Sequence, residues 1–328
     1  MDFGKIYEKK REIKGSDKVK RIVVCICAVA LLICFSLDGG RLFFNFSKAL
    51  GLKDNRENTV AAIDFLNVGQ GSCSLISSAN EYALVDTGLE ADGGVFPFNR
   101  LKNYGAASVK YVFITHCHSD HIGGLFGLLS GIKIENVVLY DKPVGEEAVG
   151  FYKRAVEQCG KYGVNVIYPQ NGMEFKLGKG SITAYVPPEG LLDSDDNAST
   201  VFRAVFGSTK TLFMGDSGFT EEDLLLNSGI DLSCDILAAG HHGSKYSTGQ
   251  RLLGEASPEA AVISFGYNSY GHPAAETLQR FRRFGCKCFF TFGDSRLCAE
   301  IYESGFEMIT TAHISKQAAT LKKGSKLY

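Results

Sequence analysis

Short runs of apolar and β-branched residues, separated by turns rich in glycine and charged residues, recur along the chain from residue 60 onward. Such runs are typical of strands, and longer segments with apolar residues three or four positions apart predict helices. The predicted strands cover residues 60–66, 73–77, 82–86, 110–115, 136–140, 165–169, 181–186, 200–206, 211–215, 234–240, 260–265, 286–292 and 297–303. The predicted helices cover residues 97–104, 123–131, 146–162, 219–228, 247–254 and 274–284. This alternation predicts an α/β domain in which two sheets are covered by helices.

A different pattern precedes this domain. Residues 22–37 form an apolar run without a charged side chain, with Lys20-Arg21 before it and Arg41 after it. As a helix, the segment between the two arginines would span roughly 28 Å, close to the thickness of the hydrocarbon layer of a membrane. We expect a single-pass membrane anchor over 22–40. The alternatives are a cleaved signal peptide, which would leave the domain secreted, and a buried core helix.

Charge is distributed unevenly between the N-terminal arm and the rest of the chain. Residues 1–21 hold eight Lys or Arg and four Asp or Glu, so the arm carries +4, and because the whole chain carries −1 the remainder carries −5. A basic arm is expected in the cytoplasm, with the domain outside the cell. The expected organisation is a basic arm over 1–21, an anchor or signal segment over 22–40, a spacer over 41–59 and one domain over 60–328. This domain has no overall basic field that would attract nucleic acid.

The densest group of ionisable side chains follows an apolar predicted strand. In THCHSDHIGG, residues 115–124, three histidines and one aspartate occupy six positions. His116 and His118 are two positions apart and can face one ion, while Asp120 and His121 can face a second. Imidazole with carboxylate is the ligand set of zinc, and manganese accepts it too. A lone histidine is usually a packed or surface residue, but this density predicts a metal site.

Further motifs occur along the chain in a defined order. They are FLNVGQGS at 65–72, LVDTG at 84–88, DNASTV at 196–201, LFMGD at 212–216, GHHGS at 240–244 and SFGYNSYGHP at 264–273. Together with the histidine motif, they resemble the hydrolase domain of the ComEC/Rec2 DNA-uptake proteins, a branch of the metallo-β-lactamase superfamily. The resemblance covers about residues 60–310. It implies an αββα metallo-β-lactamase sandwich, here preceded by one N-terminal transmembrane helix, with a two-metal site at the edges of the sheets.

The resemblance implies two divalent metal ions, with zinc expected and manganese as the alternative. The implied ligands are His116, His118, Asp120, His121, Asp216, His242 and Asn197. Asp216 would bridge the ions, because each of its oxygens can bind one. Of the neighbouring histidines, His242 would be a ligand and His241 would face the substrate, and the reverse assignment stays open. Asn197 stands where most members of the superfamily supply a histidine, so it would be a weak ligand that favours manganese, unless it merely caps a turn.

The resemblance also implies residues that act on the substrate. The predicted catalytic residues are His241, His272 and Asp120. The predicted substrate-binding residues are Ser199, Ser244, Asn268 and Tyr270. Asp86 is expected to hold a ligand histidine in the right tautomer rather than to bind metal.

Two ions held close together lower the pKa of a water molecule, which can then attack phosphorus or a carbonyl carbon. The function that the resemblance implies is therefore an extracellular phosphodiesterase or nuclease related to competence proteins. Because a charge of −5 does not favour a polyanion, a hydrolase of another exported ester, such as a cell-wall phosphodiester, a lactone or a thioester, is the second hypothesis. A non-catalytic, metal-bearing accessory module is the third. The expected partners are DNA or a cell-wall phosphodiester as substrate, and the membrane through the N-terminal helix.

Overall fold

A computed structural model describes residues 58–186, 198–294 and 296–310, which belong to one unit, Asn58–Tyr328. The predicted arm and anchor, residues 1–40, lie outside the described residues, as does most of the predicted spacer. Among the residues that the structure describes, no helix is long and apolar enough to cross a membrane.

The described residues form fifteen strands and seven α-helices. The strands are β1 (Ala61–Phe65), β2 (Ser74–Ser78), β3 (Glu81–Val85), β4 (Ser108–Phe113), β5 (Lys133–Val138), β6 (Asn165–Ile167), β7 (Met173–Leu177), β8 (Gly180–Tyr185), β9 (Val201–Phe206), β10 (Thr209–Phe213), β11 (Ile236–Ala238), β12 (Ala260–Ile263), β13 (Lys287–Phe290), β14 (Leu297–Tyr302) and β15 (Gly305–Thr310). The helices are α1 (Val95–Tyr104), α2 (Ser119–Ile122), α3 (Leu125–Gly131), α4 (Glu146–Tyr162), α5 (Phe219–Asn227), α6 (Gln250–Ala256) and α7 (Ala275–Arg283).

The strands assemble into two sheets that are each antiparallel in one half and parallel in the other. The first sheet has the order β15-β14-β1-β2-β3-β4-β5-β6, and the second has the order β13-β12-β11-β10-β9-β8-β7. Strands β3 to β6 run parallel in the first sheet, and β10 to β13 run parallel in the second. The predicted mixed α/β fold with two sheets is therefore confirmed.

Three hydrophobic clusters define the layers. The first lies between the sheets and includes Phe65, Phe113 and Phe202, with the rings of Phe113 and Phe202 centred 5.0 Å apart. The second packs the first sheet against α1, α3 and α4, and the third packs the second sheet against α5, α6 and α7. Strands such as β1 are buried on both faces, so their sequences are almost continuously apolar. The order of layers is helix, sheet, sheet, helix.

The main differences from the predicted elements lie at sheet edges and helix starts. Strands β7 and β15 were not predicted; both are edge strands, and their partial burial leaves polar residues that interrupt an apolar pattern. The helix predicted over 247–254 begins at Gln250, because Thr248 has a positive φ of 55° and the residues before it form a loop. That loop lies next to the site described below.

Candidate metal centre

The predicted site residues lie on loops that follow the carboxyl ends of parallel strands. Asp86 follows β3 and residues 115–121 follow β4 in the first sheet. In the second sheet, Asp216 follows β10, residues 241–242 follow β11, and residues 264–273 follow β12. The carboxyl ends of neighbouring parallel strands open at one edge of a sheet, so loops distant in sequence meet there.

Asp216 lies at the middle of the cluster and is 3% exposed. Its Oδ1 is 3.1 Å from Nε2 of His121. Its Oδ2 is 3.7 Å from Nε2 of both His241 and His242, and 4.0 Å from Nε2 of His116. One buried carboxylate therefore faces four imidazoles, with its two oxygens directed to different sides, which is the geometry that a bridging ligand needs.

Two overlapping groups of side chains can each hold one ion. His116, His121 and Asp216 form the first, and Asp120, His121 and His242 form the second, with the ligand atoms of each group within 4.8 Å of one another. The second group contains the three side chains predicted for the second metal. In the first, His118 Nδ1 lies 3.1 Å from His116 Nε2, so His118 adjoins this group. Asn197 lies outside the described residues.

His121 is held from behind by two side chains. Its Nδ1 is 2.8 Å from Oδ2 of Asp86, so Nδ1–H donates to this carboxylate and leaves Nε2 facing Asp216. Asp86 also accepts hydrogen bonds from Thr115, from the backbone N–H at 2.9 Å and from the hydroxyl at 3.0 Å. Asp86 thus orients a histidine as the sequence analysis expects of it. The role of Thr115 was missed, although it is the first residue of the histidine motif.

The GHHGS segment bends so that its two histidines point to different environments. His241 and His242 have φ values of 47° and 52° in a tight turn after β11. The side chain of His242 is 4% exposed, and its Nδ1–H donates to the carbonyl of Ser264 at 2.9 Å, which leaves Nε2 3.2 Å from Asp120. The side chain of His241 is 29% exposed and its ring lies 5.3 Å from that of His272. This geometry favours His242 as the ligand and His241 as the residue that faces the substrate.

The loop after this turn is held by two residues that the sequence did not single out as site residues. Arg280 of α7 donates to the carbonyls of Thr248, Lys245 and Ser247 at 2.9, 3.1 and 2.8 Å. On the opposite side, Glu222 of α5 accepts from the N–H groups of Thr248 and the next residue, at 2.5 and 2.8 Å. Arg280 is therefore a structural residue of this loop.

The glycine-rich turn at 69–71 supports the metal centre from the first sheet. A side chain at Gly71 would place its Cβ 2.6 Å from the carbonyl oxygen of Asp120, so only glycine permits this approach. Gln70 accepts from the N–H of Gly266 at 3.1 Å, and a Cβ at Gly266 would lie 2.5 Å from the N of Gln70. The VGQG motif thus joins the histidine loop to the loop at 264–273.

The carboxylates around His121 determine its charge. Burial lowers the pKa of His121, but Asp216, Asp86 and Asp120 outweigh burial and raise this pKa well above its ordinary value. Burial opposes ionisation of Asp216, yet the nearby His121 and His242 hold the pKa of its carboxyl well below its usual range. The negative charge of these carboxylates favours a positive charge between them and the neighbouring imidazoles.

The residues present fit a metal pair. Nε2 of His121 and Oδ1 of Asp216 are buried and 3.1 Å apart, yet they are not aligned for a hydrogen bond with each other or with any other group. An imidazole lone pair that faces a carboxylate oxygen is repelled unless a proton or a cation lies between them. The donor set of imidazoles and carboxylates, with tautomers fixed by Asp86 and by a backbone carbonyl, is that of divalent zinc or manganese.

Three of the predicted substrate-binding residues point into the protein. Ser199 is 0% exposed and accepts from the N–H of Asp216 at 3.0 Å. Ser244 is 3% exposed, and its hydroxyl accepts from the N–H of Tyr246. The amide of Asn268 donates to the carbonyls at 266 and 272 and accepts from the N–H groups at 270 and 272, so its hydrogen-bonding capacity is filled within the loop. Contrary to expectation, these three side chains shape loops.

The fourth predicted substrate-binding residue, Tyr270, lies at the open edge of the centre beside His272, which was predicted to be catalytic. Tyr270 is 74% exposed and its ring lies 5.8 Å from that of His272. Nδ1 of His272 has no hydrogen-bond partner. Burial, followed by the neighbouring His241 and His242, lowers the pKa of His272, so this imidazole is neutral at neutral pH. A neutral imidazole there can donate one hydrogen bond to a ligand.

Comparisons with known proteins agree with this geometry. The family model described as the metallo-beta-lactamase superfamily matches residues 66–267. The chain is 31% identical to competence protein ComA of Neisseria gonorrhoeae over 82% of this chain and 37% of ComA. It is 25% identical to ComE operon protein 3 of Bacillus subtilis over 67% of this chain and 30% of the relative. It is 27% identical to recombination protein 2 of Haemophilus influenzae over 81% of this chain and 31% of the relative. The chain thus spans about a third of the length of the curated relatives that it matches.

Proposed function

The chain belongs to the metallo-β-lactamase superfamily and is related to the ComEC competence proteins, and from this premise we propose that it is a metal-dependent phosphodiesterase that cuts nucleic acid. The fold binds divalent metals, typically two, and the candidate ligand groups of this chain overlap at His121. The observation that carries the proposal is the buried Asp216, whose two oxygens face imidazoles on two separate loops.

The residues would divide between two ions. His116, His118 and Asp216 would hold the first, with Asn197 as the further predicted ligand. Asp120, His121 and His242, again with Asp216, would hold the second. The pair supplies a water molecule of lowered pKa and compensates negative charge on the group under attack. We propose zinc as the native metal, because imidazoles and carboxylates make up the described part of the site, with manganese as the alternative.

The protein's own side chains would act on the substrate from the open side. His241 and His272 lie with ring centroids 5.3 Å apart beside Asp216, and both are half-exposed, whereas the proposed ligands His116, His121 and His242 are buried. In our proposal they donate hydrogen bonds to the non-bridging oxygens of the phosphoryl group, where charge develops in the transition state. The buried hydrogen bonds of Asp86 and Ser264 keep the ligand imidazoles from rotating, so the phosphoryl group is positioned against a fixed frame.

The relationship to competence proteins supports nucleic acid as the substrate, and the apolar run at 22–37 supports a membrane-anchored domain outside the cell. A domain outside the cell would lie where it can meet incoming DNA. Competence is a proposal for this chain, since it spans only part of its relatives.

The test uses full-length protein reconstituted with zinc or manganese. We expect hydrolysis of bis(p-nitrophenyl) phosphate and of single-stranded DNA. His242→Ala should lower the affinity for one of the two metals, whereas His241→Ala should keep the metal content and lose turnover. If both variants lose metal equally, the division between the two histidines is wrong. If the wild type hydrolyses a lactone or a thioester but no phosphodiester, the phosphodiesterase proposal is refuted in favour of another ester hydrolase.

A further inference from the structure

Exposed aromatic side chains concentrate beside the metal centre. Among the described residues, the three most exposed large hydrophobic side chains are Tyr267 at 92%, Tyr270 at 74% and Tyr246 at 65%. The first two lie on the loop at 264–273, and the third lies on the loop that follows His242. Because burial of an aromatic ring is favourable, three rings kept in water around one site indicate a ligand that covers them.

One of these rings, that of Tyr270, is continuous with the predicted catalytic histidines. From Asp216 outward, the ring of His241 lies 5.3 Å from that of His272, which lies 5.8 Å from that of Tyr270. On the same loop, the ring of Tyr267 meets that of Phe292 edge to face at 4.9 Å. A chain held at the metal centre would therefore pass over aromatic faces within a few residues or nucleotides of the group under attack.

The loop that carries the two tyrosines is held in a defined shape. Asn268, which lies between them, makes four hydrogen bonds to backbone groups of residues 266–272. The N–H of Gly266 is bound by Gln70 of the opposite sheet. Because Asn268 has no hydrogen-bonding capacity left, the loop offers flat rings rather than amide groups. Flat π faces of this kind can stack on the planar bases of a nucleic acid.

Lys245, beside Tyr246, offers a cation that can pair with one phosphate. Lys245 is exposed, and its ammonium lies 4.9 Å from the ring centre of Tyr246. The chain after residue 21 carries −5, so general electrostatic attraction does not explain how a nucleic acid would be held. Base stacking supplies affinity that depends on neither sequence nor net charge, because every base has a π face.

We infer that Tyr267, Tyr270 and Tyr246 form a stacking surface for the unpaired bases of a single-stranded nucleic acid whose backbone crosses the metal centre. This inference rests on the proposed function and defines its substrate further. A duplex buries its bases and would not use the surface. Lys245 would pair with one phosphate at one end of this stacking surface.

The test measures binding in the absence of turnover. Full-length protein in EDTA is titrated into a 5′-fluorescein oligothymidine, and anisotropy gives the Kd. The Tyr267→Ala, Tyr270→Ala double variant should bind at least roughly 5- to 150-fold more weakly, the range that loss of a single stacked base gives. The Tyr267→Phe, Tyr270→Phe variant keeps the rings and should bind like the wild type. Tyr162→Ala, which removes a 45% exposed ring at the end of α4, is the matched control and should change nothing.

Two further ligands separate stacking from charge. An abasic oligomer with the same phosphates should bind much more weakly than oligothymidine, and so should the duplex. Equal binding of the abasic oligomer, or full binding by the alanine double variant, would overturn the inference while leaving phosphodiester hydrolysis intact. A wall glycan that binds where oligothymidine does not would also overturn it. Conversely, ring-dependent binding of oligothymidine by a protein that cuts no phosphodiester would refute the proposed activity and keep the stacking surface.

Discussion

Arg280 offers a test of how the metal centre is held by residues outside it. Its guanidinium donates to three backbone carbonyls of the loop at 245–248 and to the hydroxyl of Thr277. Arg280→Met leaves these acceptors without a charged donor in a partly buried position. A hydrogen bond to a charged group contributes about 1.5–3 kcal/mol, but bonds that share one side chain are not additive. We therefore expect the free energy of unfolding to fall by about 3–5 kcal/mol, which corresponds to roughly 10 °C in Tm.

The loss should extend to the site, because the loop begins three residues after the proposed ligand His242. We expect weaker retention of one metal ion and lower turnover in Arg280→Met, with partial recovery in Arg280→Lys, whose ammonium can replace only some of the donors. Arg282→Met is the matched control, since Arg282 is exposed on the same helix and its loss should stay within about 0.5 kcal/mol. Thermal unfolding and elemental analysis measure both effects. Coincident melting curves for the Arg280→Met and Arg282→Met variants would refute the reasoning.

Three further outcomes are expected. Asp216→Ala should lose both metals, as measured by elemental analysis, and nearly all activity in the hydrolysis assay. Asp223→Ala, on an exposed face, is the control and should lose neither. Metal retained by Asp216→Ala would contradict the bridging role of Asp216. Burial raises the pKa of Glu222 from 4.5 to about 7, so its contribution to stability is present below pH 4.5 and is lost as the pH rises through 7. Between pH 5 and 8, the free energy of unfolding measured in urea should fall by up to about 3 kcal/mol more in the wild type than in Glu222→Gln. The exposed control Glu255→Gln should show the same pH dependence as the wild type. Parallel stability curves for the wild type and Glu222→Gln would disprove this prediction. If the chain is anchored with residues 60–328 outside, protease added to intact cells should remove this domain, and full protection would count against the topology.

The sequence predicted most of what depends on local pattern. The strands buried on both faces, such as β1 and β12, are short runs of mainly apolar residues, a pattern typical of central strands. The histidine motif was readable because its ligands lie within six residues, so spacing alone brings them to one loop. The edge strands β7 and β15 were not readable, because half-exposed strands mix polar and apolar residues in the same way as surface loops.

The local sequence pattern did not predict the direction in which individual side chains point. Ser199, Ser244 and Asn268 lie within site motifs, yet the side chain of each one is hydrogen-bonded to backbone groups of its own or a neighbouring loop. Tyr270 and its unpredicted neighbour Tyr267 face water instead. A polar residue beside a metal centre can bind the ligand or hold the loop. It holds the loop where nearby backbone N–H or carbonyl groups have no other hydrogen-bond partner.

The residues that hold the loop beside the metal centre show why long-range contacts cannot be predicted from local sequence. Glu222 and Arg280 lie on helices of the second sheet, 58 residues apart, and neither belongs to a motif of the site. They meet the same loop from opposite sides, one accepting from its N–H groups and the other donating to its carbonyls. Because this loop leaves the helical and strand patterns, its backbone groups lack regular partners and must be satisfied by side chains. A buried loop beside a cluster of ligands therefore requires charged residues elsewhere in the fold, and these become visible only once the fold has brought them together.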